Sequence, residues 1–92
     1  MKIIKIGNLV ATRGVAYEMQ ENSDFEKFVR KSFSRHASGD WGDICEEDKA
    51  SNDWALENGE RLFSAYEKDD KKIWIITECD RSATTILFPE EY

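Results

Sequence analysis

The chain has 92 residues, and that length leaves room for one domain over residues 1–92 and excludes any architecture that needs two cores. It is 40% hydrophobic, with three Trp, three Tyr and five Phe, which excludes wholesale disorder in spite of 35% charged residues. Nineteen Asp and Glu against thirteen Lys and Arg give a formal net charge of -6, which disfavours nonspecific binding to a phosphate backbone.

From Met1 to Thr12, Ile3, Ile4, Ile6, Leu9 and Val10 predict a first strand, with a bend or bulge at Gly7-Asn8. Arg13 to Asn22 carries Val15, Ala16, Tyr17 and Met19 and reads as a short helix stopped by Asn22. Ser23 and Asp24 supply an N-cap, with Glu26 completing a capping-box pattern. Phe25, Phe28, Val29 and Phe33 then recur at helical spacing, which predicts an amphipathic helix to about His36. The basic side chains Lys27, Arg30, Lys31 and Arg35 read as its solvated face.

The GDWGD segment breaks that helix. Gly39 and Gly42 are expected in conformations costly for other residues, with Trp41 against the sheet and Asp43 capping the next helix. That helix is expected over Ile44 to Asn58, with acids in its first turn and a stop at Asn58-Gly59. Three strands follow, Arg61 to Glu67, Lys72 to Cys79 and Thr84 to Phe88, separated by Lys68–Lys71 and Asp80–Ala83. Ile73-Trp74-Ile75-Ile76 is apolar on both faces and is expected to be central, and Pro89 ends the last strand. The fold class is α+β: an N-terminal strand, two to three helices, then a three-stranded antiparallel meander with the helices on one face.

Steps of three or four from Ile44 pass through Asp48 and Asn52 to Ala55, so Asp48 and Asn52 are candidates for inward positions, with His36, Arg61 and Arg81 as neighbouring cations. The alternative is a helix rotated to leave Asp48 wet, with Trp54 and Cys45 as its buried side. Asp80, Arg81 and Ser82 pair an Arg with hydroxyl chemistry able to hold a carboxylate or phosphate, yet they also make good turn residues, and the turn is preferred.

His36 is the only histidine; with Asp40 or Asp43 and a nucleophile such as Cys45, Ser64 or Ser82 it outlines an acid–base site, although a lone His after a helix more often caps it or lies on the surface. No catalytic residue is assigned. The candidate polar cluster is His36, Asp40, Trp41, Asp43, Asp48, Arg61, Asp80, Arg81 and Ser82.

One His, two widely separated Cys and scattered acids make neither a zinc nor a calcium set, and no cofactor is expected. Cys45 and Cys79 have no CxxC spacing and no signal peptide precedes them, so they read as free thiols in a reducing compartment. No stretch is long and apolar enough to span a membrane, and a cytoplasmic location is expected. Asp40, Asp43, Glu46, Glu47, Asp48, Asp53, Glu57 and Glu60 concentrate between residues 40 and 60, either as a solvated helix or as an imitation of nucleic-acid phosphates.

HASGDWGDICEEDKASND from His36 to Asp53, GERLFSAY from Gly59 to Tyr66 and WIITECDRSATTILFPEEY from Trp74 to Tyr92 together resemble a family of small bacterial proteins. These are carried on plasmids, prophages and integrated elements and are described as plasmid-related or, loosely, as a type I restriction enzyme subunit M. The resemblance covers roughly the C-terminal two-thirds and implies a mobile-element accessory protein. A methyltransferase is excluded, because 92 residues cannot contain that fold and neither a cofactor-binding glycine loop nor an NPPF-like motif is present. The expected function is non-enzymatic binding of a protein partner, modulating a host defence or DNA-processing system. Alternatives are a small enzyme or anion-binding protein built on the polar cluster, and an acidic nucleic-acid mimic.

Overall fold

A computed structural model describes residues 4–92. In chain order they form β1 (Asn8–Ala11), α1 (Arg13–Glu21), α2 (Ser23–Ala37), α3 (Glu46–Asn58), β2 (Leu62–Lys68), β3 (Lys71–Thr77), β4 (Ala83–Leu87) and a 3-10 turn at Pro89–Glu91. The four strands make one mixed sheet in the order β1-β4-β3-β2. β2, β3 and β4 are the expected antiparallel meander, with β3 inside it, and β1 joins parallel to β4.

The β2–β3 hairpin turns on Asp69 and Asp70, both at positive φ (49° and 68°), and two left-handed residues in succession match the right-handed twist of the flanking strands. In the paired registers, Leu62, Ser64, Tyr66, Ile73, Ile75, Thr77, Thr84 and Ile86 share one face. Tyr66, Ile73, Ile75 and Ile86 pack there with Val15 of α1 and with Phe25 and Val29 of α2. Each such apolar side chain contributes on the order of 2 kcal/mol by leaving water.

α3 meets the margin of the same face, where Ala55, Leu62, Trp41 and Ile4 form a second buried cluster. The opposite face carries an aromatic row: Trp74 stands edge-on to Phe63 at 5.1 Å and to Tyr92 at 5.7 Å, with the Arg61 guanidinium over the Tyr92 ring.

Three local expectations change. Gly7, at φ +67°, does bend the chain, but the strand is only Asn8–Ala11: Ile4 belongs to the second core cluster, and Met1 to Ile3 lie outside the described residues. The cap of α2 is Asn22, not the Ser23-Asp24 box. Its Oδ1 accepts from the amides of Asp24 (3.0 Å) and Phe25 (3.2 Å), so the residue that stops α1 also starts α2. Asp43 does not cap α3, which begins at Glu46 after Cys45. The Asp43 carboxylate accepts instead from the Glu67 amide at 2.9 Å.

That use of Asp43 belongs to a larger device at the β2 edge. Along an edge strand every second residue turns its N–H and C=O away from the sheet. On β2 the Asn52 side chain donates to the Phe63 carbonyl and accepts from the Phe63 amide (3.1 Å). Ala65 donates to the Trp41 carbonyl at 3.4 Å and accepts from the Asp43 amide at 2.7 Å. The approach needs Gly42, at φ +77°, because a Cβ there would lie on the Ala65 carbonyl oxygen and against the Tyr66 ring.

Candidate functional site

His36 lies one residue before the end of α2, on the side turned to the sheet, and is wholly buried. The expectation of a capping or surface His is therefore corrected. The last turn of α2 lies over β2 and β3, whose Ser64 and Thr77 flank the imidazole: Nδ1 is 2.6 Å from Ser64 Oγ and Nε2 is 2.8 Å from Thr77 Oγ1. Thr77 Oγ1 is 2.8 Å from Thr84 Oγ1, which donates to the Ile6 carbonyl at 2.8 Å.

Each hydroxyl has one proton, so the directions follow. Thr84 donates to the Ile6 carbonyl, so Thr77 donates to Thr84 and His36 donates from Nε2 to Thr77; with the buried ring neutral, Nδ1 then accepts from Ser64. The network thereby assigns the Nε2–H tautomer of a neutral ring. Burial, helped by the positive charge of Arg81, pulls the imidazole down from its ordinary 6.5 to about 4.

A Ser–His contact of 2.6 Å has the spacing of a nucleophile and its base, but both side chains are fully buried and the third partner is a threonine rather than a carboxylate. Ser64 is 0% exposed, so its hydroxyl does not face solvent. The chain stitches α2, β2, β3, β4 and the segment at Ile6 through polar groups that are all satisfied.

The loop after α2 covers this network. Trp41, 3% exposed, stands edge-on to His36 at 5.6 Å and donates from Nε1 to Asp53 at 2.9 Å. Gly39 and Gly42 both take positive φ, as their spacing predicts. Asp40 accepts from Arg35 at 2.7 and 3.2 Å and from the Gly42 amide at 3.1 Å, and the Arg35 contact holds its carboxyl below the usual range. The Arg35 guanidinium lies 5.0 Å over the Tyr66 ring, whose hydroxyl donates to the Asp40 carbonyl at 2.7 Å. Burial pushes that phenol well up.

The Asp80–Ser82 group is a turn. Asp80 Oδ1 accepts from the Ser82 amide at 3.0 Å, and Arg81 takes φ +60°. The Arg81 guanidinium holds backbone carbonyls, Glu60 at 2.7 Å, Glu78 at 3.0 Å and Ala55 at 3.4 Å, so it ties the C-terminal end of α3 to the β3–β4 turn.

Of the two inward candidates on α3, Asn52 is buried, where its side chain bonds Phe63 of β2, and Asp48 is exposed. The alternative rotation is right that Asp48 is wet and is corrected in its buried side: Cys45 is exposed and Trp54 is 60% exposed. Trp54 borders a surface hollow of about 540 Å³ with Ala50, Glu60 and Arg61.

The nine candidate residues thus fall into separate groups. His36 and Trp41 share the core beneath the loop, with Asp40 at its surface. Asp43 holds the β2 edge, Asp48 is on the first turn of α3, and Arg61 lies by Tyr92. Asp80, Arg81 and Ser82 form the β3–β4 turn.

Ser64 is among the partners the sequence offered His36, whereas Thr77 and Thr84 are the polar partners that it did not offer. The signal for all three is a hydroxyl at an inward position on each of three strands, at Leu62-Phe63-Ser64, Ile76-Thr77 and Thr84-Thr85-Ile86. Among the described residues no group of three or more His, Cys, Asp and Glu side chains is arranged to hold a metal, and no helix is long and apolar enough to cross a membrane. No protein-family model, no curated protein and no solved structure matches the chain.

Proposed function

We propose that this chain is a non-enzymatic, cytoplasmic protein-binding module that meets its partner through the outward face of α3. The observation that carries the reading is Trp54, an indole 60% exposed on a helix whose neighbouring residues are acidic. Tryptophan is enriched among the few residues that dominate protein interfaces, and exposing one without a use forfeits apolar burial. Residues 40–60 hold eight acids against one base, Lys49, which is itself 3.6 Å from Glu46, whereas the other 71 residues hold eleven acids against twelve bases. A partner surface with Lys or Arg around an apolar anchor site complements that face.

The biological setting, an accessory role in a bacterial mobile element that modulates a host defence or DNA-processing system, rests on the resemblance of the segments from His36 onward. The test is affinity capture with the chain and with Trp54→Ser, read by mass spectrometry alongside thermal melts. We expect unchanged melting and loss of the captured protein. Identical capture by both forms removes α3 as the contact, and turnover of a metabolite by the purified chain removes the non-enzymatic reading.

The same acids favour one second reading, a nucleic-acid mimic. Competition with duplex DNA for a restriction or guide-directed nuclease, at low salt where such attraction is strongest, is its assay. Absence of competition there eliminates it.

A further inference from the structure

We infer that the cleft between α2 and the end of β2 binds the phosphate group of a small organic phosphate monoester. Lys27, Lys31 and Arg35 recur every four residues along α2, and with Ser32, Glu67 and Lys68 they wall a cleft of about 290 Å³. Three of the four Lys and Arg side chains of α2 therefore line a hollow rather than an open helix face.

Ser32 distinguishes this cleft from a row of surface charges. It is 2% exposed, yet its hydroxyl makes no hydrogen bond among the described residues, where a helical serine commonly turns back to the carbonyl four residues earlier. No fully enclosed side-chain polar atom among those residues lacks a partner, so Ser32 Oγ keeps an opening, and the residue lines the cleft. A nearly buried hydroxyl that bonds nothing is a donor for a ligand oxygen placed there.

The charges beside it are uncommitted. Arg35 is held by Asp40 at 2.7 Å, and Arg30, which lines the hollow beside β1 instead, is 3.6 Å from Glu26. Lys27, Lys31 and Lys68 enter no ion pair among the described residues, so three ammonium groups stand against one carboxylate, Glu67. The next hollow, beyond Phe28 and Lys68, carries Asp24 and Asp69, and its Lys71 is held by Glu18 at 3.6 Å. An anion is therefore favoured on the Lys31 side.

Three point charges and a hydroxyl donor suit a group with two negative charges and several acceptor oxygens, which a phosphate monoester has and a carboxylate lacks. Phe28, half-buried in the same wall, offers the organic part an apolar contact. Ligand sites run from about 300 to 1,000 Å³, so this cleft suits a phosphate with little more than one ring. The net charge of -6 resists a long polyanion, whereas a single phosphate feels chiefly the groups within a screening length of about 10 Å. The cleft is separate from the Trp54 face of α3, and neither reading rests on the other.

The experiment is titration of the isotope-labelled chain with phenyl phosphate at low salt, followed at the backbone amides, with inorganic phosphate and benzoate as comparison probes. Expected are saturable shifts at Lys31, Ser32 and Lys68, tighter binding of phenyl phosphate than of inorganic phosphate, and much weaker binding of benzoate. Ser32→Ala should weaken phenyl phosphate about tenfold, as loss of a hydrogen bond to a charged group does, with little change in melting. Lys31→Gln should weaken it severalfold, and Glu67→Gln should tighten it. Arg30→Gln removes the same charge from the same helix and should leave the affinity unchanged. Lys31→Gln and Lys68→Gln, at exposed side chains, carry the test if Ser32→Ala unfolds. Shifts that do not saturate, benzoate binding as tightly as phenyl phosphate, wild-type affinity in a folded Ser32→Ala, or equal weakening by Arg30→Gln and Lys31→Gln overturns the proposal.

Discussion

His36 Nδ1 accepts a hydrogen bond from Ser64 Oγ across 2.6 Å in the core, though 28 residues separate them in the chain. The ring is held neutral, so its folded value of about 4 lies below the ordinary 6.5. Stability from this group is complete above pH 6.5, falls as the unfolded chain takes up a proton between 6.5 and 4, and falls no further below that. The whole drop is worth about 3 kcal/mol. Denaturant midpoints measured from pH 7 to pH 5 should decline, and His36→Leu should flatten the slope whatever its baseline stability. A wild-type profile flat over that window refutes the neutral buried ring.

Thr77→Val keeps the shape of the residue and deletes the hydroxyl that receives the Nε2 proton and donates to Thr84. It leaves a buried N–H and a hydroxyl oxygen without their partner, at a cost of about 1–3 kcal/mol. Chemical denaturation of the variant measures it, and a loss of a few tenths would mean that the hydroxyls are not one network.

The meander was legible in the sequence because runs rich in Ile, Thr, Tyr and Trp alternate with Asp-rich turns, and those signals are local. The buried role of His36 was not, because its partners lie 28 and 41 residues away on strands whose inward register sets the contact. Nothing at His36 itself distinguishes a ring facing a sheet from one facing water. Asp43 misled for a related reason: an acid just before a helix reads as a cap, but the chain at Gly42 is already paired with β2, which aims the carboxylate at Glu67. The rotation of α3, and with it the exposure of Trp54, stays open in the sequence because the helix has too few apolar residues to fix which side faces the sheet.

Trp41→Ala removes a ring packed on His36 and leaves Asp53 without its indole donor, so a loss of about 3–5 kcal/mol is expected. Gly42→Val adds both a left-handed strain and an overlap with the Ala65 carbonyl, and should cost at least about 2 kcal/mol. Thermal melts check both. An unchanged midpoint for Trp41→Ala overturns its role in the core and makes that ring a partner contact.

Asn52→Leu should leave the Phe63 amide and carbonyl unpaired beneath α3, lowering stability by about 1–3 kcal/mol. It also opens the β2 edge, so self-association in sedimentation or light scattering should rise with concentration. A monomer of wild-type stability would show that the amide bonds are dispensable.

Parallel pairing of β1 with β4 joins Asn8 to Ala83, and Thr12 Oγ1 donates to Glu91 at 2.6 Å across 79 residues of chain. The meander closes only short loops, whereas β1 closes nearly the whole chain, an entropy cost that grows as about (3/2)RT ln n. Folding should therefore run through the meander with α2 docked on it, and β1 should add late. In native-state hydrogen exchange the Val10 amide should open at a lower free energy than that of Ile75 in the middle of the sheet, which makes the first strand the element released earliest when the molecule breathes.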